Sequence, residues 1–285
     1  MTNVDELTAE TAVKSQGAAN VQAGAYFLEL SLDWIVLRAS ENVHRLLGES
    51  HVTLIDEPLG RFVHSQALHD LRNLFSRLSG TTGIGRAYAV RLTDDPDPAD
   101  IAFQLSDGRV LLEAVPSTGA YGEAFGTVGG LIAGLASSHA QSLLDAGARR
   151  MRALTGYDRV TLVCGSKRAE SSRSDFAAPA DMDSALPAII ADTQAAAVAI
   201  FPRNEDETSA DDALMHSPNG DALRLLTEAG VRASMRVPFN VDDVQGEFRC
   251  DNRRPREPSF ELHAAAELFA QLFAMRLEID HLKNG

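Results

Sequence analysis

The stretch RRMRALTGYDRVTLVCGS, residues 149–166, decides the fold. Upstream of Thr155-Gly156, Leu144, Ala148, Met151 and Leu154 recur at helical spacing, and a glycine after such a run stops a helix. Gly147 lies inside the run and costs about 1 kcal/mol against alanine there. Directly after the stop, DRVTLVC (158–164) has the β-branched richness of a strand. A helix, a glycine and a strand in immediate succession open an α+β unit. Asp158 and Arg159 stand as adjacent charges at the mouth of that strand, where bulk folding does not require them.

Downstream, residues 165–183 form a polar stretch, SALPAIIADTQAAA (184–197) reads as a helix and VAIFP (198–202) as a strand. An acidic loop follows over 203–220. DALRLLTEAG (221–230) is a helix stopped by Gly230, VRASMRVPF and QGEFRCD are a strand pair, and SFELHAAAELFAQLFAMRLEIDHLK (259–283) is a long final helix. Upstream, residues 1–20 lack periodicity and read as a flexible arm. AYFLELSLDWIVLRAS (25–40) is two strands about a turn, ENVHRLLGE a short helix, and HSQALHDLRNLFSRLSG a longer one with Leu68, Leu71, Leu74, Phe75 and Leu78 on one face. RAYAVRLT, IAFQLSD and GRVLLEAVP are strands, with a hairpin turn at Asp107-Gly108. The resulting organisation is an arm (1–20), a first domain (21–118), a glycine-rich connection (119–136) and a second domain (137–285).

The 285 residues are enough for two cores, and 45% hydrophobic with 23% charged residues is a globular composition. A net charge of -14 disfavours nucleic acid and anionic membrane surfaces as partners. With no apolar run of spanning length and no leader pattern, the chain reads as soluble and cytoplasmic. Its two cysteines, Cys164 and Cys250, stand far apart and make neither a disulfide framework nor a metal site; both read as structural. TGIGRA (82–87) lacks the surroundings of a nucleotide fingerprint, and His216-Ser217 has no third partner in view. No catalytic residue and no metal ligand is expected.

Four pieces, in order, resemble the photosensory part of phytochromes, a PAS domain followed by a GAF domain as in bacteriophytochromes. They are VQAGAYFLELSLDWIVLRASENVHRLLG (21–48), SDGRVLLEAVP (106–116), LTGYDRV (154–160), and LLTEAGVRASMRVPF (225–239) with QGEFRC (245–250). The resemblance implies an α+β, two-domain PAS–GAF fold, each domain an antiparallel sheet flanked by helices. It also implies a figure-of-eight knot, although the segment from Gly165 to about Arg203 is shorter than the family's lasso and weighs against one. Beside the Tyr157–Val160 turn it implies a pocket for a bilin, a linear tetrapyrrole.

The gripping residues of that family are largely replaced. Bacteriophytochromes attach biliverdin to a cysteine ahead of the PAS domain, and residues 1–20 contain none. Other phytochromes use a cysteine beside a GAF histidine, whose place falls at Ala222 with no cysteine nearby. The family's Pro-Ala-Ser-Asp-Ile-Pro becomes PADMDSA, which keeps Asp181, and the arginines after it are Leu186, Pro187 and Ala188. An aromatic–basic pair becomes Val163-Cys164, and a strand-end histidine becomes Asp251. The resemblance therefore implies a signal-transduction module with no covalent bilin and no catalysis of its own, acting through protein contacts. Biliverdin stays only as a non-covalent alternative, alongside another small molecule. The candidate pocket residues are Tyr157, Asp158, Asp181, Ala222 and Met235, and Phe239 and Phe248 are the side chains that would fill such a pocket.

The final helix has more apolar residues than one face needs. Leu268, Leu272, Met275 and Ile279 form a surplus stripe, which predicts a homodimer through this helix. A downstream signalling domain or protein is the other expected partner.

Overall fold

The computed structural model describes residues 19–78, 83–94, 97–119, 122–135, 141–173, 176, 186–203 and 209–284. The first domain opens with β1 (Asn20–Gln22), β2 (Tyr26–Leu30) and β3 (Val36–Ser40). After a short 3-10 turn come α1 (His44–Leu47), α2 (His51–Leu54) and α3 (Ser65–Leu78). Then β4 (Gly85–Val90), β5 (Ala99–Ser106) and β6 (Arg109–Pro116) complete its sheet. Asp107 and Gly108 both have positive φ, as a two-residue hairpin turn requires. One face of this sheet packs Leu28, Val36, Ile101, Phe103 and Leu112 against Leu47, Leu54, Ala67 and Leu71 of the small helices. The other face, through Phe27, Ala102, Leu111 and Val115, joins the core of the second domain.

The glycine-rich stretch is more than a connection. Glu123–Ala133 forms a helix, α4, which packs on the final helix, and Val128 is its buried residue. The second domain then runs α5 (Gln141–Thr155), β7 (Arg159–Cys164), β8 (Lys167–Ser172), β9 (Ile189–Ile190), β10 (Ala197–Phe201), α6 (Gly220–Glu228), β11 (Ala233–Val241), β12 (Val244–Asn252) and α7 (Phe260–Asn284). Its sheet is antiparallel, in the order β8-β7-β12-β11-β9. Helices α5 and α7 cover one face, where Phe239, Phe248, Phe269 and Phe273 interlock edge-to-face and stacked. A Cβ on Gly147 of α5 would run into the Phe273 ring, so the glycine inside the helix marks a close approach.

Two segments differ from the sequence reading. The expected helix over 184–197 is not seen in its described part, from Leu186, which holds the two-residue strand β9, paired to Ser234 and Met235 of β11, and ends where Ala197 opens β10. Alanine-rich composition favours a helix, and pairing to an open sheet edge overrides it. Within the polar stretch, β8 pairs with β7 over its full length.

Strand β10 leaves its own domain. It pairs with β3 on one side and β1 on the other, giving the first sheet the order β1-β10-β3-β2-β6-β5-β4. Along the opposite edge of β1, Gln22 N–H donates to the Met215 carbonyl and Ser217 N–H to the Asn20 carbonyl, at 3.1 and 2.9 Å. The Gln22 side chain donates to the Ile189 carbonyl at 2.6 Å and accepts from Ala191 N–H at 2.9 Å. The described parts of the chain between Ile189 and Ser217 thus flank β1 on both edges. Nothing described covers residues 1–18, where the flexible arm was expected.

Candidate functional site

Strand parity builds the site. On the second sheet, Val160, Leu162, Ala169, Met235, Val237, Phe248 and Cys250 face the helices and are buried there. The alternate residues face away and align in rows across four strands. Ser234, Asp251, Arg159 and Ser172 make one row; Arg236, Arg249, Thr161 and Glu170 the next; Pro238, Glu247, Val163 and Arg168 the third. The first row is covered by a small cluster of Phe176, Leu186, Ile190, Leu226 and Val231, to which α6 contributes. The other two rows border an open cleft of about 730 Å³, lined by Thr161, Val163, Arg168, Arg236, Glu247 and Arg249 among others.

Charges on this face are paired, two across neighbouring strands and one along β12. Arg159 donates to Glu170 at 2.7 Å and to the Phe176 carbonyl at 3.0 Å. Arg236 Nε donates to Glu247 at 2.7 Å, and its Nη1 donates to the Leu186 carbonyl at 2.9 Å. Arg249 Nε donates to Asp251 at 3.1 Å, whose other oxygen accepts from the Ser234 hydroxyl. Such pairing is what buried charge demands.

The expected pocket residues do not converge on this cleft. Met235 is odd in parity and lies in the helix-side core, 2% exposed. Tyr157 is near it, under the Arg256 guanidinium, but the space they share with Ile189 and Leu262 is about 10 Å³. That volume holds about one water. Asp158 stabilises a turn: a carboxylate oxygen accepts from Arg253 N–H at 3.1 Å and its carbonyl from Arg173 N–H at 3.0 Å. Ala222 sits in the first turn of α6, where the Asn219 side chain caps its N–H. Asp181 lies outside the described residues. The sequence reading missed Thr161, Arg168, Arg236, Glu247 and Arg249. For Thr161, Arg236, Glu247 and Arg249 the signal was present as polar–apolar alternation in RVTL, SMRV and EFRCD, which marks one polar sheet face; Arg168 had none.

Phe248 is part of the helix-side core, and Phe239 reaches only the margin, so the two leave the cleft open. Both thiols belong to the helix side as well. Cys250 is fully buried, and burial pushes its pKa up; Cys164 packs against the same core, and burial raises its pKa while Lys167 opposes. A bilin held by a thioether in this cleft does not fit the residues present.

The cleft is wired to the first domain. Arg86 of β4 donates to His263 Nδ1 at 2.9 Å and pairs with Glu267 at 2.8 Å, both on α7. An arginine only donates, so Nδ1 is the acceptor and Nε2–H donates to the Arg236 carbonyl, at 3.2 Å. Burial pushes the His263 pKa down, in keeping with a neutral ring. Elsewhere at this interface, Glu113 of β6 accepts from Leu214 and Met215 N–H at 2.7 and 2.8 Å. Burial raises its pKa to about 7 against those two bonds.

Along α7, Met275 is 57% exposed, Ile279 46% and Leu268 38%, while Leu272 packs at the core edge. The surplus stripe is therefore mostly open to solvent. Among the described residues no helix is long and apolar enough to cross a membrane, and no acid, histidine or cysteine cluster suits a metal ion.

No protein-family model and no curated protein matches the sequence. Solved structures do. The chromophore-binding domain of an unusual bacteriophytochrome, RpBphP3 from R. palustris, superposes with a TM-score of 0.76 at 19% identity, covering 95% of this chain and 99% of that one. The chromophore-binding domain of Stigmatella aurantiaca phytochrome P1 gives 0.72 at 21%, covering 91% and 95%. Against the longer photosensory core module of the Stigmatella aurantiaca phytochrome the score is 0.76 at 21% identity, with 98% of this chain but 61% of that one covered. The chain has the two-domain α+β PAS–GAF fold of bacteriophytochrome chromophore-binding domains.

Proposed function

We propose that the chain is a phytochrome-like signal-transduction module of the cytoplasm that holds no bilin covalently and has no catalysis of its own. It acts through protein contacts, foremost a second copy along Leu268, Leu272, Met275 and Ile279 of α7, and passes its state to a downstream signalling partner such as a histidine kinase. The observation that carries this reading is that both cysteines lie on the helix side of the second sheet, away from the cleft. Incubating the purified chain with biliverdin, recording its absorbance and then denaturing it provides the test. A free-pigment spectrum and no pigment retained after denaturation are expected. A light-responsive red-shifted band, or pigment that survives denaturation, would sink the proposal.

A second reading is favoured by one observation, the openness of the cleft. At about 730 Å³ it is within the size range of small-molecule sites. The GAF domain is then a receptor for a non-covalent ligand, and the relay from Arg236 through His263 to Arg86 connects its occupancy to the PAS sheet.

A further inference from the structure

At the seam between β4 and α7, one histidine ring joins the two domains. His263 is 1% exposed; its Nδ1 accepts from Arg86 Nη2 at 2.9 Å, and its Nε2–H donates to the Arg236 carbonyl at 3.2 Å. The same Nη2 reaches Glu267 Oε2 at 2.8 Å, while the other carboxylate oxygen, Oε1, stands 3.5 Å from Nδ1. Arg86 Nε is buried with no hydrogen-bond partner among the described residues, so the hold of this guanidinium on α7 runs through Nη2.

This arrangement requires a neutral ring. A guanidinium has no lone pair to offer, and an imidazolium donates from both nitrogens. Protonation therefore sets N–H against N–H, and cation against cation, across 2.9 Å. Glu267 Oε1 offers the new donor a different partner, and a charged donor on a carboxylate makes one of the stronger hydrogen bonds. The Nε2 side has no need to move, because it donates in both states. Histidine is also the side chain whose charge ordinarily changes near neutral pH. The charged groups acting on the ring are Glu267 of α7 itself and Arg86 of β4, and from β11 it meets the Arg236 carbonyl. Around that ion pair stand Tyr88 of β4, Asp100 of β5, Glu113 of β6 and Glu261 of α7.

We infer that Arg86, His263 and Glu267 form a proton-operated latch between the first sheet and α7. With the ring neutral, Arg86 is bound to Nδ1 and to Glu267, and β4 is fastened to the helix. When the ring takes a proton from solvent, Nδ1–H turns to Glu267 and Arg86 is expelled, so the first domain loosens from α7. The latch rests on neither reading of the cleft.

The test is an NMR titration of the full chain from pH 8 to 5, following the His263 ring nitrogens and the Arg86 side-chain N–H signals. At pH 8 the ring should be the Nε2–H tautomer. Ring and Arg86 signals should then shift with one midpoint, below the ordinary 6.5, and the Arg86 N–H protons should exchange with water about tenfold faster beyond it. In His263→Gln the amide accepts from Arg86 and donates to the Arg236 carbonyl without titrating. Arg86 should then stay constant, apart from any step near pH 7 that belongs to Glu113. Glu267→Gln removes the carboxylate that stabilises the imidazolium and should lower the midpoint by about one unit. An Nδ1–H tautomer at pH 8, a ring that stays neutral until the chain unfolds, or Arg86 signals that do not follow the ring would overturn the inference. So would the same Arg86 course in His263→Gln, or an unmoved midpoint in Glu267→Gln. The first three outcomes are read in the parent alone, so a variant that fails to fold leaves the test intact.

Discussion

Glu113 meets the second domain from within the first sheet, where its carboxylate is fully buried against the N–H groups of Leu214 and Met215. Its folded pKa, about 7, lies above the ordinary value of 4.5. A group whose pKa rises on folding binds its proton more tightly in the native state, so its contribution to stability is largest below 4.5 and declines as pH climbs through 7. His263 works in the opposite sense, because its lowered pKa removes stability as pH falls below 6.5. Comparing urea unfolding of the parent and Glu113→Gln from pH 4.5 to 8 cancels the histidine contribution. The parent's advantage over the variant should shrink as pH rises and level off above about 7; a difference independent of pH would show that Glu113 does not titrate there. Nothing in GRVLLEAVP distinguishes a buried glutamate from a solvated one. Its partners lie 101 and 102 residues away, and only the tertiary fold supplies them.

Elements with large apolar residues at regular spacing or in β-rich runs were legible, and those without them were not. Helices α3 and α6 and strands β2, β3, β5 and β6 show the expected spacing or β-rich composition and appear where the sequence puts them. Strand β8 went unread because its cleft face carries Arg168, Glu170 and Ser172 while its core face has only Ala169 and Ser171. Without a large apolar residue, two-fold alternation leaves no signal. The candidate site suffered the same way: the turn at Tyr157–Val160 was found, but of its two charges only Arg159 belongs to the cleft face. For α7, the surplus stripe was legible, and the structure leaves most of it exposed. Replacing Met275 and Ile279 together by glutamate should convert a dimer to a monomer in analytical ultracentrifugation. Since both side chains are solvated in the single chain, the unfolding free energy of the monomer should move by no more than about 0.5 kcal/mol. A parent that sediments as a monomer at micromolar concentration would refute the dimer.

At the scale of the molecule, two domains share one set of strands. Gln22 joins β1 to the Ile189 carbonyl, the His216 carbonyl and the Ala191 N–H, all contributed by the second half of the chain. Gln22→Ala removes these side-chain bonds and should cost about 2–3 kcal/mol. Trp34, the single tryptophan, is buried in the first domain and reports on that half, while far-UV circular dichroism reports on both. Their denaturation midpoints should coincide in the parent and shift together in the variant. Separate midpoints would mean that the interlocking strands do not couple the halves.

The seven-stranded sheet has a consequence for inheritance. A crossover near residue 130 would exchange one half of the coding sequence for that of a distant relative, at a place that looks like a domain boundary. The hybrid would then have to seat a foreign β10 between β1 and β3 and accept a foreign loop on both edges of β1. The two halves of this chain are separable on paper but must travel through evolution as one heritable piece.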